Sequence, residues 1–114
     1  LVHIVIQKIF IKKTKEKEDF IFEDLKISHT TYEVFRGENE LGLSKREFEL
    51  LDYLVLNKGI VLSRDQILEN VWGFEYIGND NILDLYIKYL RDKLDKTHER
   101  KFIQTVRGIG FIFK

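Results

Sequence analysis

The sequence predicts a small α+β domain, on three observations: short runs of β-formers come first, two capping boxes open helical periodicity in mid-chain, and a glycine-bearing turn joins two strands at the end. Over residues 20–43 the runs FIF, LKIS, TYEVF and ELGL are separated by Glu23-Asp24, His29-Thr30 and the turn Arg36-Gly37-Glu38-Asn39. That spacing suits a small antiparallel meander. The composition around Asp19, Glu23 and Asp24 is that of turn and linker, and these acids read as solvated. Upstream, residues 1–19 read LVHIVIQKIFIKKTKEKED, apolar at first and charged at the end. Val2, Val5, Ile6 and Ile9 share a helical face, whereas Ile4 with Ile6 and Ile9 with Ile11 alternate as in a strand, so both readings stay open.

At Ser44 the apolar period changes from two to three or four. Ser44-Lys45-Arg46-Glu47 is a capping box, in which the Ser hydroxyl and the Glu carboxylate each satisfy a backbone donor at the other's position. Phe48, Leu51 and Leu54-Val55 mark the buried face of a first helix that stops before Lys58-Gly59. Ser63-Arg64-Asp65-Gln66 repeats the box, and Ile67, Leu68, Val71 and Trp72 form a short second helix ended by Gly73. After the loop FEYIGNDN, one of Asn79, Asp80 or Asn81 caps a third helix that reaches Leu94 or Asp95.

On that third helix Leu83, Ile87, Leu90 and Leu94 fall in one narrow arc and must face the core. Asn81, Leu85, Lys88 and Asp92 fall opposite, flanked by Asp84 and Arg91 on one side and by Tyr86, Tyr89 and Lys93 on the other. A helix of this width fits the major groove of duplex DNA, where Lys and Arg reach phosphates or guanine acceptors and an apolar side chain touches a thymine methyl. Residues 101–106 and 111–113 form two strands around Arg107-Gly108-Ile109-Gly110, a turn whose glycines permit positive φ. A hairpin directly after such a helix, with a cation at its tip, is the arrangement by which a winged helix reads DNA, the hairpin reaching a neighbouring backbone or minor groove.

Composition limits the alternatives. A chain of 114 residues with 44% hydrophobic content and nine Phe has room for one packed core without staples. The absence of Cys excludes disulfides and thiolate metal sites and fits a reducing compartment. The apolar stretch over residues 1–11 is interrupted by His3, Gln7 and Lys8 and is too short to span a bilayer, so no membrane partner is expected. Without any Met the sequence is expected to be a piece of a longer protein. His3, His29 and His98 are scattered, and neither a metal site, a cofactor site nor a catalytic Ser-His-Asp set can be assembled. Gly108-x-Gly110 is no nucleotide loop, since no helix follows it and no third glycine is correctly spaced. Net charge is zero, but it is sorted: residues 16–80 carry seven bases and fifteen acids, residues 81–114 eight bases and four acids. A polyanion responds to that positive end more than to the sum.

The strings LSKREFELLDYLVLNKGIVLSRDQILENVWG, LDLYIKYLRDKL and FIQTVRGIGFIF, in this order, resemble the OmpR/PhoB-type response-regulator family from about residue 20 to the C-terminus. The resemblance implies a winged helix-turn-helix: an N-terminal four-stranded antiparallel sheet, three helices and a C-terminal β-hairpin wing, over residues 19–114. It implies sequence-specific binding of duplex DNA, on direct repeats, by Asn81, Leu85, Tyr86, Lys88, Tyr89 and Arg91. Trp72, Thr105 and Arg107 would hold the backbone or the minor groove, although Trp72 also suits an anchor between helices. It further implies a cytoplasmic transcription regulator, an RNA polymerase contact through the loop of residues 73–80, and control by a receiver domain and its sensor kinase. Residues 1–18 would then be the end of the receiver and a linker. The sequence departs from the family at Asn81, where Arg is frequent, at Tyr86, where His is, and at Tyr89, where a base is common. Fewer cations mean weaker non-specific affinity and an altered base preference. The competing reading is a winged-helix protein-interaction module that presents Tyr86 and Tyr89 to a protein instead of DNA.

Overall fold

The computed structural model describes residues 19–73 and 81–114, and they fall into two compact units divided between Gly42 and Leu43. The expectations for residues 1–18 and for the loop after Gly73 lie outside the described residues. In the first unit, β1 (Phe20–Phe22), β2 (Leu25–Ile27), β3 (Val34–Arg36) and β4 (Asn39–Leu41) pair antiparallel in sequence order. The meander read from the sequence is therefore present. Pairing of Phe22 with Leu25 and of Arg36 with Asn39 leaves two-residue turns, with Glu23 at φ 56 and Gly37 at φ 67. Leu25, Ile27 and Val34 are buried, as their alternation dictates.

Asp24 is exposed, as composition implies, and it also holds a partner. Both of its carboxylate oxygens accept from Nε of Arg36 at 3.3 Å, and its carbonyl accepts the Gly37 N–H at 2.7 Å. Arg36 is only 2% exposed, and a guanidinium taken out of water requires an acceptor of this kind. The turn before β2 thus supplies the counter-charge for a cation on the adjacent strand β3.

The second unit begins with α1 (Lys45–Leu56). Ser44 accepts from the Glu47 N–H and Glu47 accepts from the Ser44 N–H, so the capping box is closed in both directions. The second box is closed likewise at Ser63 and Gln66, and Ser63 also ends a short strand, β5 (Leu62–Ser63). Strand and helix therefore meet without a loop. Where the sequence reads one short helix, α2 (Arg64–Ile67) widens into a π-helical turn, Leu68–Trp72. It closes when the Gly73 N–H reaches the Leu68 carbonyl at 3.0 Å, with Gly73 at φ 124, a conformation that side chains resist. Next comes α3 (Asn81–Leu94), whose first residue is Asn81; the other cap candidates, Asn79 and Asp80, lie outside the described residues.

The hairpin consists of β6 (Ile103–Val106) and β7 (Gly110–Phe113), and β5 joins it to give a three-stranded sheet in the order β5-β7-β6. The sequence reading missed β5, since two residues are too few for alternation to register. Leu50, Leu51 and Leu54 of α1, Ile67 of α2, Leu83, Ile87, Leu90 and Leu94 of α3 and Phe102, Phe111 and Phe113 around the hairpin make up the core. Each such side chain contributes about 2 kcal/mol by burial. No helix among the described residues is long and apolar enough to cross a membrane.

Candidate nucleic-acid interface

The leucine seam of α3 is buried as read from the sequence, with Leu83, Ile87, Leu90 and Leu94 at most 2% exposed. Burial of that arc forces Asn81, Leu85, Lys88 and Asp92 to the opposite side, and all four are exposed. Leu85 keeps 40% of its surface in solvent, and the Lys88 side chain keeps 68%. Lys88 Nζ meets Asp92 Oδ2 at 3.1 Å, one turn further on.

Two sets of contacts fix how α3 is rolled. On one flank Lys93 Nζ donates to Glu47 Oε1 at 2.7 Å, so the carboxylate that closes the first capping box also anchors α3 to α1. Burial works to raise the Glu47 pKa, but Lys93 and Ser44 outweigh it and hold the group below its ordinary value of 4.5. A depressed carboxylate contributes stability that is present at neutral pH and lost as pH falls through the folded-state pKa. Urea unfolding from about pH 7 down to about pH 3 should show this loss, and Glu47→Gln should flatten it. The same flank carries an aromatic ladder. Tyr89 packs edge-on to Tyr86 at 5.5 Å, Tyr86 edge-on to Trp72 at 5.4 Å, and the Arg46 guanidinium lies over the Trp72 ring at 5.3 Å while donating to the Val71 carbonyl. Trp72 is thus an anchor between helices, and the outermost ring of the ladder, Tyr89, is 38% exposed.

On the other flank Arg64 holds Asp84 through both terminal nitrogens, at 2.7 and 3.1 Å, and ties α2 to α3. Arg91 donates to the Ile103 carbonyl at 3.3 Å and to Thr105 Oγ1 at 2.7 Å, with its guanidinium over the Phe111 ring. Burial pulls the Arg91 pKa down and Asp95 pushes it back up. Asp95, buried at the end of α3, accepts the Phe102 and Ile103 N–H groups at 3.0 and 3.1 Å. The root of the wing is therefore bolted to the last turn of α3. Between them runs a groove of about 360 Å³ bordered by Arg64, Lys88, Asp92 and Thr105. The turn between β6 and β7 exposes Arg107, Gly108 and Ile109, with Gly108 at φ 78.

The structure therefore brings Lys88, Arg91 and Thr105 to one groove, puts Leu85 and Asn81 on the same outward stripe, and sets Trp72, Tyr86 and Tyr89 as a packed ladder beside it. Arg91 and Thr105, both expected to face DNA, are also partners of each other. The sequence reading passed over Arg46, Glu47, Arg64 and Asp95 as supports, because each acts on a residue distant in the chain. Asp92 falls on the outward stripe in the sequence too, outside the expected site residues, and its position four after Lys88 is the signal for it.

An amphipathic helix whose outward stripe carries Asn81, Leu85, Lys88 and Asp92, held beside a β-hairpin, defines a winged helix-turn-helix domain. The family of transcriptional regulatory protein C-terminal domains matches residues 38–113. The uncharacterized transcriptional regulatory protein YkoG of Bacillus subtilis is 46% identical over 103 residues, covering 90% of this chain and 45% of that protein. Response regulator MprA of Mycobacterium avium is 38% identical over 112 residues, covering 94% and 49%. Among solved structures, the Klebsiella pneumoniae RstA DNA-binding domain in complex with the RstA box aligns with TM-score 0.75 and 34% identity, covering 85% of this chain and 97% of that one. Response regulator DrrB of Thermotoga maritima, an OmpR/PhoB homolog, aligns with TM-score 0.78 and 31% identity, covering 98% and 52%. The chain belongs to this transcriptional-regulator family, as an OmpR/PhoB-type effector domain with a winged-helix fold. It spans about half the length of the curated relatives it matches.

Proposed function

We propose that this domain binds duplex DNA sequence-specifically, with α3 in the major groove and the β6–β7 turn at a neighbouring backbone or minor groove, and performs no chemistry of its own. The observation that carries the reading is the Arg91–Thr105 bond, which fixes the wing beside the outward stripe of α3, so that Lys88 and the hairpin approach one duplex together. Asn81, Leu85, Tyr86 and Tyr89 face or flank the bases, and Trp72 and Arg107 brace the backbone. That the similar RstA DNA-binding domain forms a complex with its DNA box supports duplex DNA as the partner.

In this reading residues 1–18 lead in from a receiver domain whose phosphorylation by a sensor kinase promotes pairing on direct repeats, the loop of residues 73–80 meets RNA polymerase, and the protein acts in the cytoplasm. A fluorescence titration with duplex DNA at two salt concentrations tests the reading. Binding should weaken steeply with salt, and a salt-insensitive or absent response would instead assign the Tyr86–Tyr89 face to a protein partner. Arg107→Ala should reduce the log-log salt slope by about 0.9 through the loss of one phosphate contact. Arg107→Ala should leave the major-groove base preference unchanged; a changed preference there would contradict the docking.

A further inference from the structure

We propose that Asp92 is a specificity-determining residue, which together with Lys88 selects a guanine–cytosine pair; the inference rests on the DNA-binding reading above. Asp92 lies seven residues beyond Leu85 on the outward stripe of α3, and its carboxylate meets the Lys88 ammonium at 3.1 Å with both side chains exposed. Stability gives little reason for the pair, since exposed i,i+4 ion pairs contribute only marginally. On a face that approaches a polyanion, a carboxylate also opposes every non-specific phosphate contact. The other acid of this face, Asp84, is gripped by Arg64 from α2, whereas the partner of Asp92 comes from the reading stripe itself.

Base-edge chemistry matches this pairing. In the major groove a guanine–cytosine pair presents two acceptors, guanine N7 and O6, and beside them one donor, cytosine N4. An ammonium with three donors can fill both acceptors, and a carboxylate, which only accepts, takes the cytosine amine. An adenine–thymine pair sets its donor between two acceptors, so the same side chains leave thymine O4 facing a carboxylate. Asp92 therefore acts in two ways: it orients Lys88 towards guanine, and it penalises bases and phosphates that offer the carboxylate no donor.

Selection from random duplexes with the 114-residue chain and with Asp92→Ala, Asp92→Asn and Lys88→Ala tests this. The unmodified chain should enrich a site with one position held to guanine–cytosine by about tenfold. Both Asp92 variants should flatten that position to below about twofold, leave the others unchanged, and bind random duplex at least as tightly as before. Lys88→Ala should flatten the same position with weaker binding. If both Asp92 variants return the original site with unchanged preferences, the role of Asp92 is overturned while DNA reading stands. If the unmodified chain enriches nothing, DNA reading fails, and this inference with it.

Discussion

Replacing Gly110 with alanine should destabilise the domain by about 3 kcal/mol or more, because the added methyl has nowhere to go. Gly110 pairs with Ser63 across the β5–β7 ladder. A Cβ there would overlap the Leu62 carbonyl oxygen and lie 2.9 Å from the Leu62 carbonyl carbon and 3.0 Å from the Ser63 Cα. All three are backbone atoms, so no side chain can swing aside. Relief would require β5 to leave the sheet, and Ser63 is also the cap of α2. The neighbouring Gly108 is the control. Its φ of 78 strains any side chain, but no atom lies within 4 Å of its would-be Cβ. Gly108→Ala should cost only about 1–2 kcal/mol. Urea unfolding of both variants measures the difference, and equal losses would mean that β5 is not held against β7 as described.

The second large effect is expected at Asp95. Its carboxylate is buried and is the acceptor for two successive amides at the start of the wing, those of Phe102 and Ile103. Alanine takes that acceptor from both donors in a site where water does not replace it, which should cost about 2–5 kcal/mol. Asp95→Asn keeps one accepting oxygen and should fall between the two. The same change removes one set of ties between the wing and the end of α3 and leaves those of Arg91, so DNA affinity should drop by more than the lost stability accounts for when measured on the folded fraction. Unfolding curves and DNA titrations of both variants check this. An Asp95→Ala protein as stable as the parent would show that the amides find other acceptors.

Much of this architecture could be read from the chain because it is encoded locally. Ser44 with Glu47 and Ser63 with Gln66 are three residues apart, and the α3 seam repeats within one helix. Turn glycines likewise announce themselves in sequence. The supports of the site are a different matter. Lys93 to Glu47, Arg64 to Asp84 and Arg91 to Thr105 join residues 46, 20 and 14 apart, and no periodicity links such pairs. Gly110 was legible as a glycine but for the wrong reason: the sequence implies positive φ, whereas the structure requires room for the Leu62 backbone. The π-helical turn escaped notice because Leu68 to Trp72 carries the same apolar pattern that a final α-helical turn would.

The central claim is that one duplex meets the outward stripe of α3 and the tip of the wing at once. It is tested most directly by ¹H–¹⁵N correlation spectra of the labelled chain titrated with its selected duplex. The amides of Leu85, Lys88, Tyr89 and Asp92 should shift together with those of Arg107, Gly108 and Ile109, while those of Leu56, Ile60 and Val61, exposed between the end of α1 and β5, stay in place. Shifts confined to the helix or to the wing alone, or centred on Leu56 to Val61, would contradict it.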